Sequence, residues 1–150
     1  FDTLDAMHLC LTDAGLMSEA EDCAQVWNLL METLDQLHTL LGGGSARDLG
    51  VGVLAVRKAG KLPPPVQTCE YTLEYGTAAI EIPGDSKILH RRRVLIVDDV
   101  LATGGTLGAT VELLERAGAD IVGVTVVTEI EALGGRARLA GYPLTSLVRI

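Results

Sequence analysis

Two adjacent carboxylates, Asp98 and Asp99, stand just before the loop Ala102-Thr103-Gly104-Gly105-Thr106. That loop offers what a phosphate needs: backbone N–H groups unscreened by bulky side chains, the hydroxyls of Thr103 and Thr106, and the positive end of a following helix dipole. Gly104 and Gly105 let the backbone approach closely. The two acids would repel a phosphate unless they face something else, and the vicinal hydroxyls of a sugar are good partners for an acceptor-only group. The expected ligand is a ribose held by Asp98 and Asp99, with its 5′-phosphate held by residues 102–106.

The elements that must position this chemistry flank it. Val94 to Val97 is a short, β-branched apolar run, suited to a strand covered on both faces in a parallel sheet. After the loop, Leu107, Val111, Leu113, Leu114 and Ala117 supply the apolar face of a helix. Strand, loop and helix follow in that order. Taken alone, the run ending in Asp98-Asp99 could also open a receiver domain with a metal-binding acid pair, but such a module needs roughly 110 further residues. Only 51 follow Asp99. A purely structural Asp-Asp turn is the other plain alternative.

The run Val97-Asp98-Asp99-Val100-Leu101-Ala102-Thr103-Gly104-Gly105-Thr106 resembles the ribose-phosphate motif of type I phosphoribosyltransferases, and within them the adenine-using members. Two further segments resemble that family in the family's order. Val56-Arg57-Lys58-Ala59-Gly60-Lys61-Leu62-Pro63 is similar to its Arg-Lys-x-Gly-Lys-Leu-Pro strand end, and Glu70-Tyr71-Thr72-Leu73-Glu74-Tyr75-Gly76 to its Leu-Glu-Tyr-Gly loop. The resemblance covers about Gly42 to Ile150. It implies an α/β fold with a parallel sheet flanked by helices. It also implies the reaction of adenine with 5-phosphoribosyl 1-pyrophosphate to give AMP and pyrophosphate, a step of purine salvage. By the same resemblance Arg57, Lys58 and Lys61 bind the pyrophosphate, Arg57 and Lys58 reaching across a homodimer interface, and Glu74 and Tyr75 are the catalytic residues, covering the site, with Glu74 assisting proton handling at the purine. Mg²⁺ arrives on the pyrophosphate of the donor, with no direct protein ligand.

Charge divides the chain. The formal net charge is −8, and residues 1–41 account for all of it, with eight acids and no Lys or Arg; residues 42–150 hold twelve of each sign. So sharp an asymmetry indicates two pieces, an acidic segment 1–41 and a domain 42–150. Cys10, Cys23 and Cys69 are odd in number and lack metal-ligand spacing, which points to reduced, buried thiols. No apolar run reaches the roughly 18 residues of a membrane span, and no signal sequence opens the chain. A cytoplasmic protein without membrane or nucleic-acid partners is expected.

Residues 1–41 read as an αα-hairpin. Phe1, Leu4 and Leu11 share a face, Gly15 suits a left-handed cap, and Ser18 with Glu21 forms a capping box for a second helix. Cys23, Trp27, Leu30, Leu34, Leu37 and Leu41 follow at alternating spacings of 4 and 3, the core side of a globular helix or a partner seam. His8 and His38 have no second ligand at metal spacing. A hairpin of this size needs cover from another element. It stands where the family carries a first strand, an acid-x-Arg-Gly pyrophosphate loop and a hood. Residues 1–41 contain no arginine and cannot supply that loop. An alternative function is therefore a nucleotide-binding or interaction module of this fold with impaired turnover.

Gly42-Gly43-Gly44-Ser45 is either a flexible joint or the end of a helix. Val51 to Val56 reads as a buried strand carrying Arg57, Lys58 and Lys61 at its carboxyl end, where ligands bind in open α/β sheets. Residues 66–83 read as a hairpin or lid arm. Arg91-Arg92-Arg93 reads as a solvated run before the central strand, since no aromatic interleaving marks a nucleic-acid surface. A helix over 106–117, a turn at Gly118, a strand Ile121 to Val127, a short helix near Glu131 to Leu139 and a strand Leu144 to Ile150 complete the expectation.

Overall fold

The structure, a computed structural model, describes residues 40–73, 76–85 and 88–150. The expected N-terminal hairpin, Cys10, Cys23, His8, His38 and the lid residues Glu74 and Tyr75 lie outside the described residues. Leu41–Ile150 forms one unit, and the following concerns that unit. Residues 40–49 are helical (α1). The helix runs through Gly42, Gly43 and Gly44, so this glycine run is the end of a helix and not a joint.

Residues 51–56 correct the sequence reading. They form no strand, and Val51 and Val53 are 60% and 63% exposed. A β-branched run becomes a strand only when a neighbour takes its N–H and C=O groups. The chain first pairs at β1, Arg57–Lys58, which runs antiparallel to β3, Gly76–Pro83; β3 also pairs with β2, Val66–Leu73, across a full eight-residue register from Val66 opposite Pro83 to Leu73 opposite Gly76. The lid arm is thus a three-stranded antiparallel sheet in the order β1-β3-β2, with Arg57 at its edge and not at the end of a parallel strand.

The second sheet is parallel. Its strands β4 (Arg93–Leu101), β5 (Asp120–Glu129) and β6 (Leu144–Arg149) lie in sequence order. Among the described residues β4 has a neighbour on one side only, and Leu95 is 46% exposed, so the central apolar run is not covered on both faces. Helix α2 (Gly105–Arg116) connects β4 to β5 and packs on β2, β3 and β5. It joins the two sheets through one core. Leu107, Val111, Leu113, Leu114 and Ala117 are all buried, as the helical spacing requires. Ile82 from the antiparallel sheet, Leu101, Val124 and Val126 from the parallel sheet, and Leu139 complete the centre. Each such side chain contributes about 1.5–3 kcal/mol by leaving water. The expected short helix after β5 is two 3₁₀ turns, Glu131–Leu133 and Gly135–Leu139. Cys69 is buried with a free thiol, and Arg91, Arg92 and Arg93 are exposed, as expected. No helix among the described residues is long and apolar enough to cross a membrane.

Candidate active site

β4 carries Asp98 and Asp99 inside the strand and not after it, because the parallel pairing continues to Leu101 opposite Glu129. Both acids are half-buried. Side chains alternate across a strand, so the pair brackets the strand's end from both faces. The Asp99 N–H donates to Asp98 Oδ1 at 3.0 Å, which engages one Asp98 oxygen with the backbone.

Strand and helix are separated by Ala102-Thr103-Gly104. Gly104 caps α2 with φ 76°, in the left-handed region that glycine enters without penalty. Its carbonyl accepts the Gly108 N–H at 2.9 Å, so the helix begins immediately behind the loop. No side chain caps this helix and no acid lies in its first turn. The orphan N–H groups and the dipole therefore face outward from a loop two glycines wide. Thr106 is held from two sides. Its carbonyl accepts the Thr110 hydroxyl at 2.9 Å, and its hydroxyl lies 3.3 Å from the Tyr71 hydroxyl of β2.

Behind the loop stands the turn after β5. A Cβ on Gly104 would come within 2.7 Å of the Gly135 carbonyl, and one on Gly135 would run into the carbonyl of Ala102. Arg136 and Glu129 hold this turn in place. The Arg136 Nε donates to Glu129 Oε1 at 2.7 Å and its Nη2 to the second carboxylate oxygen, to which Ser146 of β6 also donates; Arg149 lies 3.5 Å away. The Arg136 hydrogen bond, then that of Ser146, brings the Glu129 carboxyl from 4.5 down to about 2. Glu129, Gly135 and Arg136 carry no motif signal, since their contacts join residues seven or more apart. The adjacent glycines Gly134-Gly135 are the one sequence feature from which this close approach could have been found.

A cleft of about 530 Å³ opens between β2 and α2, lined among others by Tyr71, Thr103, Gly105, Gly108, Glu112 and Arg138. It includes Thr103 and Gly105 of the expected phosphate loop, but not Asp98, Asp99 or Arg57. Arg138, near the start of α2, was not singled out by sequence. Arg57 and Lys58 sit in β1, opposite Glu81 and Ile80 respectively, so strand alternation turns them to opposite faces. Lys61 follows in the next turn and is exposed. Glu81 is 3% exposed, and backbone N–H groups hold its carboxyl below the ordinary carboxylate range, that of Leu62 first and that of Gly60 next.

The chain matches the phosphoribosyl transferase domain family over residues 31–139, beginning eleven residues before the Gly42 limit of the motif resemblance. It is 64% identical over 147 residues to an adenine phosphoribosyltransferase of Rhodococcus jostii (strain RHA1), covering 98% of this chain and 75% of that one. The crystal structure of adenine phosphoribosyltransferase from Thermoanaerobacter pseudethanolicus superposes with a TM-score of 0.70 at 43% identity, covering 75% of this chain. The chain spans 65% of that protein's length. The Trypanosoma brucei enzyme in complex with AMP, pyrophosphate and ribose-5-phosphate superposes with a TM-score of 0.65 at 29% identity, over 73% of this chain and 51% of that one. Strand, paired acids, glycine loop and helix occur here in a chain with these relatives, and the chain belongs to the phosphoribosyltransferase family, among the adenine phosphoribosyltransferases.

Proposed function

We propose that this site forms AMP and pyrophosphate from adenine and 5-phosphoribosyl 1-pyrophosphate. The observation that supports it best is the junction at Gly104, where a strand carrying two carboxylates near its end leads through a short glycine loop to the start of α2, which no side chain caps. In this reading residues 102–106 bind the 5′-phosphate and Asp98 and Asp99 hold the ribose hydroxyls. The reaction breaks the bond from the anomeric carbon to pyrophosphate and forms one to an adenine nitrogen, whose proton passes to the released pyrophosphate or solvent with the help of Glu74. Positive charge grows on the ribose in between. The carboxylates stabilise that charge, cations stabilise the departing pyrophosphate, and Glu74 and Tyr75 on the arm exclude water.

Arg57, Lys58 and Lys61 serve the leaving group. A homodimer belongs to this reading, because a second copy lets cations from both faces of β1 meet a pyrophosphate. Magnesium, carried on the donor, would neutralise part of the leaving group's charge. In this reading the donor's own oxygens would hold the ion. A cytoplasmic location, where phosphorylated substrates are retained, fits the same reading.

Isothermal titration with AMP and a pyrophosphate-release assay with adenine and the donor test it. AMP should bind and raise the melting temperature by mass action, with inosine and uridine monophosphates weaker. No AMP binding at millimolar concentration overturns the reading. One observation favours the module without efficient turnover: residues 51–56 form no strand and β4 lacks a neighbour on one side among the described residues. AMP binding with no pyrophosphate release would select that second reading.

A further inference from the structure

Glu81 is a carboxylate where a sheet ordinarily shows water-facing side chains. It stands on the middle strand β3, in one cross-strand row with Thr68 of β2 and Arg57 of β1. Directly paired residues share a face of the sheet. Thr68 is exposed and Arg57 half-buried, yet Glu81 is 3% exposed. Something covers it locally, and that cover is the turn after β1. Glu81 Oε1 accepts the Lys61 N–H at 2.8 Å and the Leu62 N–H at 2.6 Å, from residues twenty and nineteen positions earlier.

The geometry decides which cations can act together. Beyond Lys58 the Ala59 N–H continues the ladder to the Ala79 carbonyl at 2.9 Å. Gly60 then turns with φ 83°, which brings the next two N–H groups back onto the face that carries Glu81 and Arg57. At its far end the loop is tied to the strand again, where the Gly84 N–H donates to the Pro65 carbonyl at 2.7 Å. Between these ties the Glu81 carboxylate is the side chain that satisfies the loop's amides. Arg57 and the backbone of Lys61 are thus set on one face, and Lys58 on the other.

We propose that Glu81 is a positioning residue: its buried carboxylate holds the Lys61-Leu62 turn over the Arg57 face, so that Arg57 and Lys61 present a preformed cation pair to the pyrophosphate end of the ribosyl donor. The inference rests on the assignment of Arg57 and Lys61 to pyrophosphate made above. A carboxylate suits the task because a charged acceptor binds backbone N–H groups more strongly than a neutral one. It also spends its own charge on the amides it faces. Preorganisation of the loop leaves less ordering to be done when the donor binds.

The test is isothermal titration of magnesium pyrophosphate and, separately, of AMP into the full chain and into Glu81→Gln, Glu81→Asp and Arg57→Ala variants. Glu81→Gln keeps the size and loses the charge; Glu81→Asp keeps the charge and shortens the reach. Both should weaken pyrophosphate binding on the order of tenfold or more, the scale on which a misplaced group acts, while AMP affinity stays within about twofold of wild type. A merely structural role would weaken both ligands together, or neither. Equal loss for AMP and pyrophosphate, or unchanged pyrophosphate affinity, overturns the proposal. If Glu81→Gln does not fold, Glu81→Asp alone decides by the same split. If Arg57→Ala loses pyrophosphate and the Glu81 variants do not, only the positioning role fails; if wild type binds AMP but no pyrophosphate, the assignment of this loop fails and the role of Glu81 with it.

Discussion

Gly135 lies against the backbone of Ala102 so closely that any side chain on it would collide with the Ala102 carbonyl and stand 2.8 Å from the Gly104 nitrogen. The glycine loop before α2 therefore has a wall made of main chain, and that wall is pinned by Arg136 to Glu129. Two segments thirty residues apart in sequence are in effect one site.

Gly135→Ala should push the loop out of place. Overpacking of this kind costs about 1–3 kcal/mol of stability, and AMP binding should fall on the order of tenfold or more as the loop amides shift. Differential scanning fluorimetry and AMP titration measure the two effects separately. Wild-type AMP affinity in this variant would show that the loop does not depend on its wall.

Asp99→Asn keeps the shape and removes the charge. In the proposed reading the Asp99 carboxylate accepts from the ribose hydroxyls. Donor binding should weaken by roughly 1.5–3 kcal/mol, the range for hydrogen bonds to a charged group. The fold should survive. A sharp drop in melting temperature with unchanged donor affinity would make the acid pair structural.

Tyr71→Phe removes the hydroxyl 3.3 Å from Thr106 Oγ1 and leaves the ring packed against the core. A neutral hydrogen bond of this kind contributes about 0.5–1.5 kcal/mol, so AMP affinity should fall a few-fold with little change in far-UV circular dichroism. An unaltered dissociation constant would mean that the arm does not steady the loop.

Acid should loosen the wall behind the phosphate loop. The folded-state Glu129 carboxyl is depressed to about 2 from an ordinary 4.5, so its contribution is fully present above the ordinary value and is lost as pH falls toward 2. The melting temperature should be flat with respect to this group above pH 5 and decline below about 4.5. Glu129→Gln should show a shallower decline over that window in a pH series of thermal scans. Equal slopes in both proteins would remove Glu129 as the cause.

Local features of this fold were legible because neighbouring residues decide them. The apolar spacing of Leu107, Val111 and Leu114 sets α2, Thr77 to Ile82 alternates as half of a hairpin, and Gly104-Gly105 after two acids marks the break between strand and helix. Val51 to Val56 has the same local character as Val94 to Val97, yet only the latter is a strand in the structure. The difference is a partner: β4 finds β5, and residues 51–56 find none in the sheet. The carboxylates gave no local sign of their roles either. Glu81 reads as one polar residue in an alternating strand, and Glu129 as the end of another. What ties each of them down is a donor brought close by the fold, the Lys61 and Leu62 amides for one and Arg136 with Ser146 for the other. Sequence determined the glycine loop and the elements on either side of it, because both follow from residue type and short-range periodicity. Tertiary structure alone decided which main chain backs that loop, which faces Arg57 and Lys58 take and which acid binds the Lys61 and Leu62 amides, because those depend on hydrogen bonds and close approaches between segments distant in the chain.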